Sequence, residues 1–244
     1  MSKIKDNIPN GVTLLNLFSG SIAVVLALSG HLNHASWFIF LAALFDFIDG
    51  FTARLLHARS EIGAQLDSLA DAVSFGLAPA TIMYVLLDES PDLLQAYAGE
   101  FRLLPFIALF LALASAYRLA RFNIDPGQSD RFYGLPTPAM GIFMAALPLA
   151  QIQYDGNGLV TGFLSSQYTL LATVIIFSWL MVSRIPMIAI KFKSFSWKEN
   201  TYQFILIGLS AVLMVLFRFA GFALSILLYI FISILENLLH IKKN

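Results

Sequence analysis

Apolar runs approaching or exceeding the length needed to cross a bilayer recur from Val12 to Leu239. A helix needs about 20 mostly apolar residues to span the hydrocarbon core. Eight runs are candidates: 12–29, 35–56, 66–87, 103–120, 135–154, 168–190, 202–217 and 220–239. Backbone polar groups in lipid must be satisfied internally, so these runs must be helices. The last two meet at Arg218 and read equally as one bent hairpin. The first run follows Lys3 and Lys5, but no A-x-A-like site closes it, so it reads as a resident helix and not a cleaved leader.

Composition excludes the soluble alternative. The 244 residues are 58% hydrophobic and 12% charged, against about 25% charged in a soluble domain. Fifteen basic residues balance fifteen acidic ones, which excludes binding to nucleic acid through net charge. Cysteine is absent, so there is no disulfide framework and no thiolate metal site. The expectation is an all-α, polytopic membrane bundle of about eight transmembrane helices, forming one domain over residues 1–244. All basic residues except Arg102 and Arg218 fall on one side when both chain ends lie in the cytoplasm. The positive-inside rule favours that orientation.

Against this background four aspartates stand out. The chain reads Asp46-Phe-Ile-Asp49-Gly50-Phe-Thr-Ala53-Arg54, then Gly63-Ala-Gln-Leu-Asp67-Ser-Leu-Ala-Asp71. On a helix the first set shares one stripe about 140° wide. Gly63, Asp67 and Asp71 recur every four residues on the next helix. A short connection makes the two helices antiparallel neighbours, so their acidic stripes can meet. One charged Asp near a helix centre costs roughly 2.5–3.5 kcal/mol. Arg54 and Arg59 are too few to neutralise four such groups. Hard oxygen ligands suit Mg²⁺, Mn²⁺ or Ca²⁺, and two ions among four carboxylates would form a site for phosphate chemistry. Gly50, Ala53 and Gly63 leave room beside the acids for a ligand, or let helices pack closely.

The pattern D-x2-D-G-x2-A-R-x8-G-x3-D-x3-D over residues 46–71 resembles that of the CDP-alcohol phosphotransferases at every fixed position. The resemblance implies a homodimeric membrane enzyme with a six-helix core and a site open to the cytoplasm. It implies displacement of CMP from a CDP-linked substrate by an alcohol. It implies that Asp46, Asp49 and Asp67 hold two divalent cations, with Asp71 also at the metal site and acting as general base. Gly50, Ala53 and Gly63 then line the nucleotide pocket, and Arg54 meets a phosphate or an acid.

Three further segments resemble the membrane-integral phosphatidylserine synthase branch of that family. They are Pro9-Asn10-Gly-Val-Thr13-Leu-Leu-Asn16, Tyr117-Arg118-Leu-Ala-Arg121-Phe-Asn123 and Phe132-Tyr-Gly134-Leu-Pro136-Thr137-Pro138. That resemblance implies CDP-diacylglycerol and L-serine as substrates. A zwitterionic acceptor needs a cation for its carboxylate, and arginine has the matching fork. Arg118, Arg121 and Asn123 read as that pocket, as contacts to a lipid phosphate, or as topology anchors. Asn10, Thr13 and Asn16 trace one face; they reach the nucleotide or its phosphates, or serve as a helix cap and interhelical hydrogen bonds. Gly134, Pro136 and Pro138 shape the turn into the fifth run.

Residues beyond about 190 carry no motif, and the pair 201–239 reads as a helical addition to the core. Glycerol phosphate or inositol phosphate as acceptor would want a denser basic pocket. Serine transfer onto an ether lipid uses the same polar chemistry. A cation transporter is the alternative of another class, but its acids would sit near the midplane and not at one face.

Overall fold

A computed structural model describes residues 2–57, 61–91, 93–94, 96–124, 132–188 and 200–241. The topology assigned to Arg59, Arg131, Lys191, Lys193, Lys198, Lys242 and Lys243 concerns positions outside the described residues. Helix α1 (Ser2–Leu28) and helix α2 (Leu32–Leu55) form an antiparallel hairpin. Gly30, at φ +78°, makes the tight turn between them. The rod that follows consists of α3 (Glu61–Asp71), a π-helical stretch (Ala72–Leu77) and α4 (Ala78–Glu89).

This rod is the most buried of the long apolar helices and packs against α1, α5 (Phe110–Ile124) and α6 (Thr137–Gln153). Glycines allow the close crossings. A Cβ on Gly76 would lie 2.8 Å from Ser115 Oγ, and one on Gly141 3.0 Å from the Phe75 ring. Gly20 likewise lies against Ser74. Small residues at helix crossings are how membrane bundles bring backbones together. Phe75, Ile82, Met83, Leu87, Leu111, Met140 and Met144 fill the fully buried centre.

The chain then closes both ends of the bundle. At the end distant from the aspartates, β1 (Tyr97–Ala98) and β2 (Phe101–Arg102) pair antiparallel. Buried Gln167 accepts the Leu93 and Leu94 N–H groups there, each at 3.1 Å. A 3₁₀ turn (Leu104–Leu109) leads into α5. Helices α7 (Gly158–Leu164) and α8 (Gln167–Val182) meet at a 49° bend. At the aspartate end, β3 (Phe132–Tyr133) pairs with β4 (Pro186–Met187).

Helix α9 (Thr201–Ile241) breaks at Arg218, whose φ 47° and ψ −117° are non-helical. Ser225 Oγ donates to Ser210 O at 3.5 Å, a contact that a straight helix could not make across 15 residues. The element is therefore a hairpin, as one expectation for Arg218 had it. Gln153 holds its turn: Nε2 donates to Phe217 O at 3.0 Å and Phe219 N–H donates to Oε1 at 2.9 Å.

Helices occupy all eight expected positions within the described residues. Four stretches are long and apolar enough to cross a membrane: Asn7–Leu28, Glu61–Glu89, Leu104–Ile124 and Thr201–Leu239. The α7–α8 pair, bent by 49°, makes a fifth where its two helices form one span. The protein is thus a polytopic, all-helical integral membrane protein. The difference from eight has physical causes. The stretch Thr201–Leu239 is itself two arms joined at Arg218 and answers to two of the expected runs, while α6 has 17 residues and α2 carries Asp46, Asp49 and Arg54 in its last turns.

Candidate metal and transfer site

The i, i+3 and i, i+4 spacings do what they predict. Carboxylate oxygens of Asp46 and Asp49 on α2 and Asp67 on α3 lie within 4.8 Å of one another. Asp71, one turn further along α3, is buried and within hydrogen-bonding reach of Asp46. It stands outside the trio that a single ion could touch.

Helix α1 supplies the supports. Thr13 Oγ1 lies 2.7 Å from Asp49 Oδ2 and 3.1 Å from Pro9 O. Asn16 Nδ2 donates to Asp71 Oδ1 at 3.4 Å, and Ser74 Oγ donates to Asn16 O at 3.0 Å. Thr13 and Asn16 thus make interhelical hydrogen bonds to carboxylates, one of the roles the sequence left open. Asn16 Oδ1 is buried without a partner among the described residues. Asn10 is half-buried within α1, which begins at Ser2, so it is not a helix cap.

No arginine or lysine whose side chain is described lies within ion-pairing distance of these four acids. Arg102 and Asp88 form an ion pair, 4.0 Å apart, at the opposite end. Arg54 is exposed at the end of α2. Carboxylates gathered this closely repel one another, and nearby positive charge stabilises their ionised forms. The donor set is all hard oxygen, so the cluster fits a divalent cation such as Mg²⁺, Mn²⁺ or Ca²⁺. A Cβ on Gly50 would meet no atom within 4 Å, so open space lies along the stripe. Ala53 and Gly63 are half-buried on the facing ends of α2 and α3.

The C-terminal end of α5 forms a second wall. Arg118 Nη1 donates to Thr137 Oγ1 at 3.3 Å. Its Nε is buried with no hydrogen-bond partner among the described residues. The guanidinium lies within electrostatic reach of Asp71 and of Tyr229 on α9. Arg121 is half-buried one turn on. Asn123 Nδ2 donates to Ser68 Oγ at 2.9 Å, tying α5 to α3 beside Asp67. Gly134 has φ +76°, and a Cβ there would crowd the carbonyl oxygens of Met181, Ser183 and Leu180. The turn into α6 therefore requires glycine, as expected.

Sequence reasoning missed Thr137, Ser68 and Tyr229 as parts of this wall. Thr137 lay inside a segment already singled out. Tyr229, Ser233 and Asn237 recur every four residues in an otherwise apolar helix, and that polar stripe was the signal available.

The fold defines an integral membrane protein, and a carboxylate cluster that could hold a hard cation lies at one end of its bundle. A family model, CDP-alcohol phosphatidyltransferase, matches residues 6–235. The chain belongs to that family. It is 32% identical over 188 residues to a CDP-diacylglycerol–serine O-phosphatidyltransferase of Mycobacterium tuberculosis, covering 74% of this chain and 60% of that relative. The enzyme of the same name from Helicobacter pylori is 30% identical over 209 residues, covering 84% of this chain and 80% of its own. An archaetidylserine synthase of Methanothermobacter thermautotrophicus is 34% identical over 146 residues, 58% of each chain. The match thus spans about 60% of the mycobacterial relative's length.

Proposed function

We propose that this protein transfers a phosphatidyl group from CDP-diacylglycerol to L-serine and releases CMP. The observation that carries this reading is the Asp46–Asp49–Asp67 trio with Asp71 beside it, in a chain whose relatives bear that activity's name. The serine hydroxyl oxygen bonds to the phosphatidyl phosphorus, and the bond from that phosphorus to the CMP oxygen breaks. Asp71 takes the hydroxyl proton as general base. Asp46, Asp49 and Asp67, with Asp71 at their edge, would hold two divalent cations, which neutralise the diphosphate and stabilise departing CMP. Thr13 and Asn16 orient the acids, and Asn10 lies one turn away on the same helix. In this reading Gly50, Ala53 and Gly63 leave the cytidine side open, and Arg54 meets a phosphate.

Arg118 and Arg121 face the acceptor, Arg118 offering its unpartnered Nε to the serine carboxylate. Asn123, held by Ser68, lines the same wall. In this reading the whole chain is one domain and works as a homodimer. Its site faces the cytoplasm from the inner membrane, because the basic residues flank the aspartate end.

The test is CMP release from CDP-diacylglycerol by purified protein, with and without serine, glycerol phosphate or inositol phosphate, across Mg²⁺, Mn²⁺ and Ca²⁺. Serine-dependent, metal-dependent release supports the proposal. Release driven by a phosphorylated acceptor reassigns the acceptor. The archaeal relative favours a second reading, in which serine is the acceptor and the lipid is ether-linked; comparing ester and ether CDP-lipids decides between them.

A further inference from the structure

We propose that Tyr229, Ser233 and Asn237, on the second arm of the C-terminal hairpin, are positioning residues for the acceptor wall. The inference rests on the assignment of Arg118 to the acceptor. The three side chains are spaced four apart and project from one helical face. All three engage the backbone of one short segment. Tyr229 Oη donates to Ile188 O at 3.1 Å. Ile188 N–H donates to Ser233 Oγ at 3.2 Å. Asn237 Nδ2 donates to Pro186 O at 2.6 Å and to Ser233 O at 2.9 Å. Tyr229 and Ser233 are buried, so water cannot replace these partners at no cost.

The segment they hold is β4, which reaches the site in a few steps. It pairs with β3, placing Tyr133 opposite Pro186. Gly134 N–H donates to Ile185 O at 2.9 Å, and Leu135 N–H to Leu180 O at 3.1 Å. The next residues are Pro136 and Thr137, and Thr137 receives the Arg118 guanidinium. Tyr229 also lies within electrostatic reach of that guanidinium. The hairpin thus fixes the wall on which Arg118 rests. The hydrogen bonds that hold Asp49 and Asp71 come instead from Thr13 and Asn16 on α1.

That separation makes a distinctive kinetic signature. In full-length protein, Tyr229→Phe keeps the ring and removes one hydroxyl, and Asn237→Leu keeps the volume and removes the amide. Each is expected to raise KM for serine about fivefold, the scale of one buried hydrogen bond. KM for CDP-diacylglycerol and the Mg²⁺ concentration for half-maximal rate stay within about twofold, the additivity expected of separate sites. A general loss of fold moves all three quantities or the expressed yield together, and overturns the proposal. Unchanged serine KM in Tyr229→Phe overturns it also. Arg118→Lys is the control for the assignment beneath. If Arg118→Lys raises serine KM and the hairpin variants do not, the strut fails and the acceptor site stands. If Arg118→Lys leaves serine KM unchanged, the acceptor assignment itself fails.

Discussion

The Thr13 hydroxyl lies 2.7 Å from the Asp49 carboxylate, joining the first helix to the acid motif 36 residues away. A ligand carboxylate held by a neighbour presents its other oxygen in a fixed direction. Such supports typically account for about 10–100-fold in metal affinity or activity. Thr13→Val, which keeps the shape, should raise the Mg²⁺ or Mn²⁺ concentration for half-maximal CMP release by that amount. Thr13→Ser should retain most of the wild-type response. A metal titration of both variants checks this.

Asp71 and Asp67 should separate kinetically. Asp71→Asn removes the proposed base while keeping the hydrogen-bonding shape, and kcat should fall about 10²–10⁴-fold. Asp67→Ala removes a member of the close trio, and the response to added divalent ion should be lost with the activity. Single-turnover CMP release over a range of metal concentrations distinguishes the two. Full activity in Asp67→Ala would remove the trio from the mechanism.

Gly50 offers an opposing pair of effects. Alanine in a helix interior is favoured over glycine by roughly 0.5–1 kcal/mol. No atom lies within 4 Å of a Cβ placed there. Gly50→Ala should therefore leave thermal stability in detergent unchanged or higher. KM for CDP-diacylglycerol should rise, because the space beside the acids is the proposed nucleotide approach. Thermal unfolding and lipid-substrate kinetics on one preparation measure both.

Gly134 should behave in the reverse manner. Its positive φ and the carbonyls of Met181, Ser183 and Leu180 leave no place for a methyl group. Gly134→Ala strains the turn by about 1–3 kcal/mol or more. Lower thermal stability is expected, together with a weaker serine response, because Thr137 lies just beyond the turn. Circular-dichroism melting and serine kinetics test the two parts.

The acid motif was legible because its chemistry and its spacing lie in a short stretch of chain. Asp46, Asp49 and Asp67 converge because helical geometry converts i, i+3 and i, i+4 into one face. The hairpin at Arg218 was likewise open to inspection as a break between two apolar runs. The partner of Thr13 was not, because helical period says which face is polar but not which distant helix meets it. Asn16 could have touched a phosphate as readily as Asp71 on sequence grounds. Tyr229 shows the limit most clearly. Its polar stripe is visible in an apolar helix, but its engagement with Ile188 depends on a hairpin and two short strands folding over one another.

The π-helical stretch from Ala72 to Leu77 begins at the residue after Asp71. Each π turn closes on a residue one place further along than an α turn does. The phase of α3 is thereby set independently of the phase of α4. The acids can point at α2 while Ala78, Ile82 and Met83 stay locked in the core. Removing one residue from this stretch would turn Asp67 and Asp71 by about 100° relative to that core. The fold thus holds an angular adjustment between its chemistry and its packing.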